Sequence, residues 1–143
     1  MNTPTLESVR ATLLADGLDV FRVQDRTIHL AERVRSHLMD AGVCVRCVDS
    51  IRVDVTVRAQ SSDFPSESAA ELFARVRAAV VELAAARSFL ESGAVSRDIR
   101  DPVDDSRLLD VWHELTFTKP DCPLESLIDD VRWAIRLPKC IAR

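Results

Sequence analysis

The sequence predicts an α+β fold, a small antiparallel sheet with helices packed on one of its faces. The clearest signal is the segment 43–59, where every second residue from Ile51 to Val57 is Ile or Val. This period of two is typical of a half-buried strand, while much of the remaining chain repeats apolar residues at helical spacing. With 143 residues, the length predicts one domain, residues 1–143, large enough to bury its own core.

The first third of the chain predicts two helices. Thr3 is the expected N-cap of a helix that begins at Pro4 and ends at Gly17. The segment Asp19–Gln24 fits either a short strand or a connection. From Asp25 to Gly42, a second helix is expected. Its apolar stripe consists of Ile28, Ala31, Val34, Leu38 and Ala41.

A hairpin follows, and its register can be predicted from side-chain parity. A three-residue connection, Val48–Ser50, pairs Cys47 with Ile51 and brings nearly all apolar residues of both strands to one face. A two-residue loop would divide them between the two faces, so we predict the longer connection. This register places Arg46 directly opposite Arg52.

After the hairpin, a long helix is predicted to start with the capping box of Ser68 and Glu71 and to end at Gly93. Residues 93–107 have no usable periodicity and predict an exposed connection. The residues expected to face the core are Leu72, Val76, Ala79, Val80, Leu83 and Leu90.

The C-terminal third predicts a strand and a last helix. Apolar and polar residues alternate over Leu109–Thr118, and a helix is expected from Pro123 until Pro138 terminates it. If Asp19–Gln24 is a strand, the element order contains the ferredoxin-like βαββαβ arrangement with an added N-terminal and C-terminal helix. If it is a connection, the order is ααββαβα around three strands.

Composition restricts the class of partner. The net charge is −4 with both signs interspersed, which argues against general nucleic-acid binding. No signal peptide and no membrane-spanning apolar run is recognisable, so a cytoplasmic protein without membrane contact is expected. All but two of the 19 basic residues are arginine, a bias that we interpret as the codon composition of a GC-rich bacterial genome.

The four cysteines raise the question of a zinc or redox site. Cys44 and Cys47 form a C-x-x-C pair, and Cys122 and Cys140 could complete a four-cysteine zinc site. In an extended strand, however, residues three apart point to opposite faces, so the pair cannot share a metal ion. We expect reduced packing cysteines, with no metal and no cofactor.

One histidine could support an enzyme. His113 lies in the apolar phase of the last strand beside Glu114, but the sequence shows no convergent partner or cleft. We therefore expect a half-buried histidine whose ring is hydrogen-bonded to the backbone.

These patterns lead to a hypothesis of a non-enzymatic protein that acts through protein contacts. Two arginines opposite each other repel unless an anion lies between them, and the absence of aromatic residues on that face argues against RNA. The protein could serve as an adaptor, an accessory or a self-associating module, including a homodimer. The predicted partner-binding residues are Arg46, Arg52, Asp54, Arg58 and Trp112. The alternatives are a small enzyme using His113 with Glu114 or a cysteine, and a zinc-binding module.

Overall fold

The computed structural model describes residues 4–141, which contain three α-helices and six strands. The strands form one antiparallel sheet in the order β1-β2-β3-β4-β6-β5, which confirms the α+β class with a larger sheet than predicted. The element order αββββαββα does not contain the ferredoxin-like βαββαβ arrangement. The elements are α1 Leu6–Ala15, β1 Asp19–Gln24, β2 Thr27–Val34, β3 His37–Cys47, β4 Ile51–Gln60, α2 Ala69–Ala86, β5 Leu90–Arg100, β6 Leu108–Lys119 and α3 Leu127–Arg136.

The chain forms two compact units. Within residues 4–141, the first contains the residues up to Val55 together with Thr118–Leu137, and the second contains Thr56–Phe117 together with the residues after Leu137. The core of the first unit is built from Val9, Leu13, Ile28, Leu30, Val43, Val45, Ile51, Val53, Val55, Leu127, Val131 and Ala134. The core of the second unit is built from Val57, Leu72, Val76, Val80, Ala84, Phe89, Leu115 and Phe117.

The second predicted helix is wrong, because the segment forms β2 and β3. Asp25 and Arg26 have φ values of 51° and 59°, and Arg35 and Ser36 have values of 50° and 69°. Each pair is the two-residue loop of a hairpin. Positive φ at both loop residues gives the type I′ geometry that matches the twist of the flanking strands. The apolar residues that resembled a helical stripe are divided between the two strands, where Ile28 and Ala31 are buried while Val34 and Leu38 are exposed.

Gly42 does not end a helix but lies within β3. It has a φ of 75°, and the pairing between β2 and β3 shifts in register nearby. Its N–H donates to Asp40 Oδ1 at 2.8 Å. A glycine at positive φ beside a register shift is typical of a β-bulge. The sequence position therefore needed glycine, although for a different reason than the one predicted.

Helix α1 begins two residues later than predicted. Thr5 is the N-cap, and its hydroxyl accepts a hydrogen bond from Ser8 N at 3.1 Å. The predicted cap Thr3 lies outside the described residues. The C-terminal end is confirmed, because Gly17 N and Leu18 N donate to the carbonyls of two last-turn residues in the Schellman pattern.

Helix α2 begins as predicted but ends earlier. Ser68 Oγ accepts a hydrogen bond from Glu71 N at 3.1 Å, which confirms the cap. The helix ends at Ala86, where Ser88, with a φ of 65°, takes the left-handed position usually occupied by glycine. Three of the residues predicted to face inward are exposed: Ala79, Leu83 and Leu90.

Residues 93–100 of the predicted connection 93–107 belong to β5, a strand without a buried side chain. The next strand is confirmed as β6. The last helix, α3, starts later than predicted because Leu124–Ser126 form a short 3-10 turn after Pro123.

Candidate partner-binding surface

The predicted register of the β3–β4 hairpin is confirmed. Cys47 lies opposite Ile51, and Arg46 lies opposite Arg52. The alternating burial of β4 directs its Ile and Val side chains into the core and leaves the intervening polar side chains half-buried or exposed. The hairpin thus holds two guanidinium groups side by side on the polar face of the first unit. We call this surface, formed by His29, Cys44, Arg46, Arg52 and Asp54, the arginine face.

Only one of the two arginines has a carboxylate partner. Arg52 Nε lies 3.3 Å from Asp54 Oδ2, and the other oxygen of Asp54 accepts a hydrogen bond from Thr118 Oγ1 at 2.5 Å. Arg46 is exposed, and no carboxylate of residues 4–141 lies within ion-pair distance of it. The arginine face therefore carries one guanidinium whose charge has no counterion.

A thiol and an imidazole lie next to the arginines. Cys44 Sγ is 3.2 Å from His29 Nδ1. Burial raises the pKa of Cys44 to about 11, and the nearby Asp40 and Asp54 charges act in the same direction, while Arg22 and Arg52 oppose them. Such a thiol stays protonated near neutral pH, so it forms a hydrogen bond but is not an activated nucleophile.

Two shallow cavities lie beside the arginine face. One, of ≈ 360 Å³, is at the loop of the β3–β4 hairpin, and the other, of ≈ 320 Å³, lies over strands β2, β3 and β4. Arg46 and Arg52 line both. Both guanidinium groups therefore border the space beside the hairpin, and bidentate hydrogen bonds from arginine suit a carboxylate or a phosphate.

The other two predicted residues, Arg58 and Trp112, belong to the second unit. Arg58 Nε lies 3.6 Å from Glu114 Oε1, and Trp112 Nε1 donates to Asp110 Oδ2 at 3.0 Å. Both line a cavity of ≈ 360 Å³. Because the indole N–H is already bonded and Trp112 as a whole is 39% exposed, this residue can offer apolar area to a partner without leaving a donor unpaired.

Asp110 is the anchor of this part of the second unit. Burial acts to raise the pKa of Asp110, but hydrogen bonds from Ser62, Val111 and Trp112 together hold it below its usual range. Ser62 contributes both its N–H, at 3.0 Å, and its hydroxyl, at 2.8 Å. The ionised carboxylate thus fixes the indole and the chain after β4.

The four cysteines lie in different surroundings. Cys44 is half-buried on the arginine face, while Cys47 is buried in the core, as expected for residues three apart in a strand. Cys122 is buried, and Cys140 is exposed. Within residues 4–141, no group of three or more His, Cys, Asp or Glu side chains is placed to hold a metal ion.

His113 is more deeply buried than predicted and is hydrogen-bonded to a side chain rather than to the backbone. It is 3% exposed, its Nδ1 lies 2.7 Å from Ser96 Oγ, and its ring is 5.3 Å from that of Phe73. Its Nε2 is buried without a hydrogen-bond partner. Glu114 instead pairs with Arg58 and Arg97, so the two neighbours do not form an acid–base pair.

Sequence reasoning missed a buried polar cluster in the first unit. Lys119 Nζ lies 2.7 Å from Asp130 Oδ2, which also accepts hydrogen bonds from Cys122 Sγ and Ser126 Oγ. Burial, together with Asp130, raises the pKa of Cys122 to about 11, although the Ser126 hydrogen bond opposes the rise. A signal existed, because Asp130 occupies an apolar-stripe position of α3, three residues after Leu127. The cluster fixes α3 to the end of β6.

Comparison with protein-family models, curated proteins and solved structures found no significant match. No helix in the described part of the chain has the length and apolar character needed to cross a bilayer. Functional assignment therefore depends on the geometry of the side chains.

Proposed function

We propose that this chain is a non-enzymatic module that acts through protein contacts and binds an acidic segment of a partner protein on the arginine face. The observation that carries the proposal is the placement of Arg46 directly opposite Arg52. Among residues 4–141, the carboxylate within ion-pair distance of this pair is that of Asp54, and it is already bound to Arg52. Like charges opposite each other destabilise a sheet. An acidic partner would remove that repulsion on binding and add charge-assisted hydrogen bonds.

The chemistry of the face supports a protein partner over a nucleic acid. The face includes the carboxylate of Asp54, which would repel a phosphate backbone, and it has no Phe, Tyr or Trp side chain. Its one aromatic ring, the His29 imidazole, already contacts Cys44 Sγ at 3.2 Å. The whole chain has a net charge of −4, so it lacks a general attraction to phosphate backbones. Arginine is also enriched at protein interfaces. In this proposal the protein works in the bacterial cytoplasm, where its thiols stay reduced.

The enzyme alternative has less support. Ser96 and His113 have the spacing of a nucleophile and its base, but His113 Nε2 has no acidic partner to orient the ring and lies in the core. The high pKa of Cys44 makes it a poor nucleophile. His113 does line the cavity of ≈ 360 Å³ beside Arg58 and Trp112. The carboxylate in that cavity, Glu114, pairs with Arg58 rather than with the imidazole, so the cavity holds no activated base.

Affinity purification from the native host with mass spectrometry tests the proposal. The wild-type chain should recover a partner with an acidic segment, and the Arg46→Glu variant should lose it. Arg10→Glu, an equal charge change at an exposed position of α1, should retain the partner. The absence of a stable partner, or equal recovery by both variants, would contradict the proposal.

A direct binding measurement complements the purification. A synthetic oligoglutamate peptide should bind the wild-type protein with an affinity that falls as salt rises, and Arg46→Glu should bind it at least about tenfold more weakly. Unchanged affinity in that variant would place the acidic site elsewhere.

A further inference from the structure

The second unit has a cavity of its own on the polar side of strands β4 and β6. Trp112 and Glu114 alternate along β6 with the buried His113 and Leu115, so they project away from the core. The cavity, of ≈ 360 Å³, lies at the low end of the range for small-molecule sites, which is about 300–1,000 Å³. It is lined by Arg58, Ala59, Gln60, Trp112, His113 and Glu114. Its size suits a ligand with one ring system and few substituents.

The indole of Trp112 forms a fixed apolar surface in this cavity. Its Nε1 donates to Asp110 Oδ2 at 3.0 Å, and Asp110 is held in turn by Ser62 and by the Val111 N–H. The residue nevertheless stays partly exposed. A side chain that is already immobilised loses little conformational entropy when a ligand binds. The indole can therefore stack on a planar ring at low cost.

Two guanidinium groups share one carboxylate at the same cavity. Arg58 Nε lies 3.6 Å from Glu114 Oε1, and Arg97 Nη2 lies 4.0 Å from Glu114 Oε2. Both contacts are longer than a charge-assisted hydrogen bond, which measures about 2.7–2.9 Å. The two arginine side chains are 62% and 61% exposed. They are thus loosely held and carry one positive charge more than Glu114 neutralises.

The nearby carboxylate of Asp110 is already engaged. Its oxygens accept hydrogen bonds from the N–H and hydroxyl of Ser62, from the Val111 N–H and from the Trp112 indole. These donors offset its charge locally. Among residues 4–141, Glu114 is the carboxylate within ion-pair distance of Arg58 and Arg97.

This distribution of charge favours an anionic ligand over a cationic one. An indole beside a carboxylate can also bind an ammonium group, but Arg58 and Arg97 would repel a cation here. A ligand carboxylate or phosphate can instead accept hydrogen bonds from both guanidinium groups and replace the long contacts with Glu114. A planar ring with one anionic group matches both the indole and the arginines.

We infer that the second unit binds a small aromatic anion, whose planar ring stacks on Trp112 and whose carboxylate or phosphate is bound by Arg58 and Arg97. The amide of Gln60, which donates and accepts hydrogen bonds, is placed to select among ring substituents. The inference does not depend on the arginine face, which belongs to the other unit.

Calorimetric titration with matched probes tests the class of ligand. Adenosine monophosphate and 2-naphthoate combine a ring with an anionic group, adenosine and 2-naphthamide lack the anion, and inorganic phosphate and acetate lack the ring. At least one complete probe should bind about tenfold more tightly than either of its parts, and the one that binds identifies phosphate or carboxylate as the preferred group. No binding of either complete probe at about 10 mM, or equal affinity for its uncharged counterpart, would overturn the inference.

Fluorescence locates the bound probe. The chain has two tryptophans, Trp112 and Trp133. In a Trp133→Phe background, the remaining emission should be quenched along the same binding curve that calorimetry gives. Calorimetric binding without any change in this emission would place the ligand elsewhere and overturn the inference.

Charge variants distinguish a binding site from a structural ion pair. Arg97→Gln should weaken binding of the probe about tenfold. Arg107→Gln, which removes an exposed arginine with a similarly long contact of 3.9 Å to Asp101, should leave the affinity unchanged. Glu114→Gln should tighten binding about threefold or more, because it releases both guanidinium groups for the anion. Unchanged affinity in Arg97→Gln, or weaker binding in Glu114→Gln, would contradict the anion site.

Ring variants test the stacking surface. Trp112→Leu should weaken binding about tenfold, and Trp112→Phe, which keeps an aromatic ring, should retain most of the affinity. Thermal melts establish that each variant is folded, and the Glu114→Gln result remains decisive if Trp112→Leu is not. Equal affinities of folded Trp112→Leu and wild type would overturn the inference.

Discussion

The substitution Arg46→Glu is expected to stabilise the isolated protein while it weakens partner binding. Arg46 and Arg52 are directly opposed on neighbouring strands, where Cβ atoms are about 5 Å apart. Replacing one arginine by glutamate converts a repulsive pair into an attractive one. A residue retained at a cost in stability is typical of a binding surface, where function opposes the optimum for folding.

The size of the effect follows from the exposure of the pair and from Asp54. Cross-strand charge pairs contribute roughly 0.2–1 kcal/mol in either direction. The Arg52 side chain is 41% exposed and already has Asp54 at 3.3 Å, so solvent and this carboxylate offset part of the repulsion. We therefore expect a gain of about 0.5–1 kcal/mol in the free energy of unfolding at low salt. At about 1 M salt, where the screening length is about 3 Å, most of the gain should disappear.

Urea unfolding at low and high salt measures this change, and a double-mutant cycle isolates its cause. In an Arg52→Gln background, Arg46→Glu should give a distinctly smaller gain, because the opposing charge is absent. Arg46→Gln should give an intermediate gain in the presence of Arg52. Destabilisation at low salt, or the same gain with and without Arg52, would refute the reasoning from charge repulsion.

Three further predictions concern the interior and the thiols. Lys119→Met should lower the free energy of unfolding by about 3 kcal/mol or more, because it removes the cation that pairs with the buried Asp130 carboxylate. Urea titration measures this loss, and a loss below about 1 kcal/mol would contradict a stabilising role of the ion pair. Ser68→Ala should cost about 1 kcal/mol through loss of the α2 cap, and an unchanged urea midpoint would show that the cap contributes nothing. In the native protein, iodoacetamide should modify the exposed Cys140 near neutral pH. Cys44, with its pKa raised to about 11, should react at a comparable rate only in strongly alkaline solution. Equal rates near neutral pH, measured by peptide mass spectrometry, would contradict the burial of the Cys44 thiol.

Several local features of this protein are determined by the sequence alone. The parity of Ile and Val in β3 and β4 fixed the hairpin register, because a slip by one residue would turn the whole apolar set to the solvent. Ser68 and Gly17 marked helix ends because their chemistry satisfies backbone groups within a few residues. The like-charged pair of Arg46 and Arg52 followed from that register, so the main element of the candidate surface was predictable.

Other features were decided by tertiary structure. The apolar residues predicted to line a helix between Asp25 and Gly42 lie on two strands instead. The turns of these strands place Arg26, Arg35 and Ser36 at positive φ, which such residues rarely adopt, so no turn signal marked them. Strand β5 could not be recognised because neither of its faces is buried, so packing left no alternation in its sequence. The ion pair of Lys119 with Asp130 joins a strand to a helix, and only the packed chain brings their charges together. The periodicity of apolar residues shows which side of one helix or strand is buried. Turn geometry, sheet edges and buried ion pairs depend on which elements become neighbours in the fold.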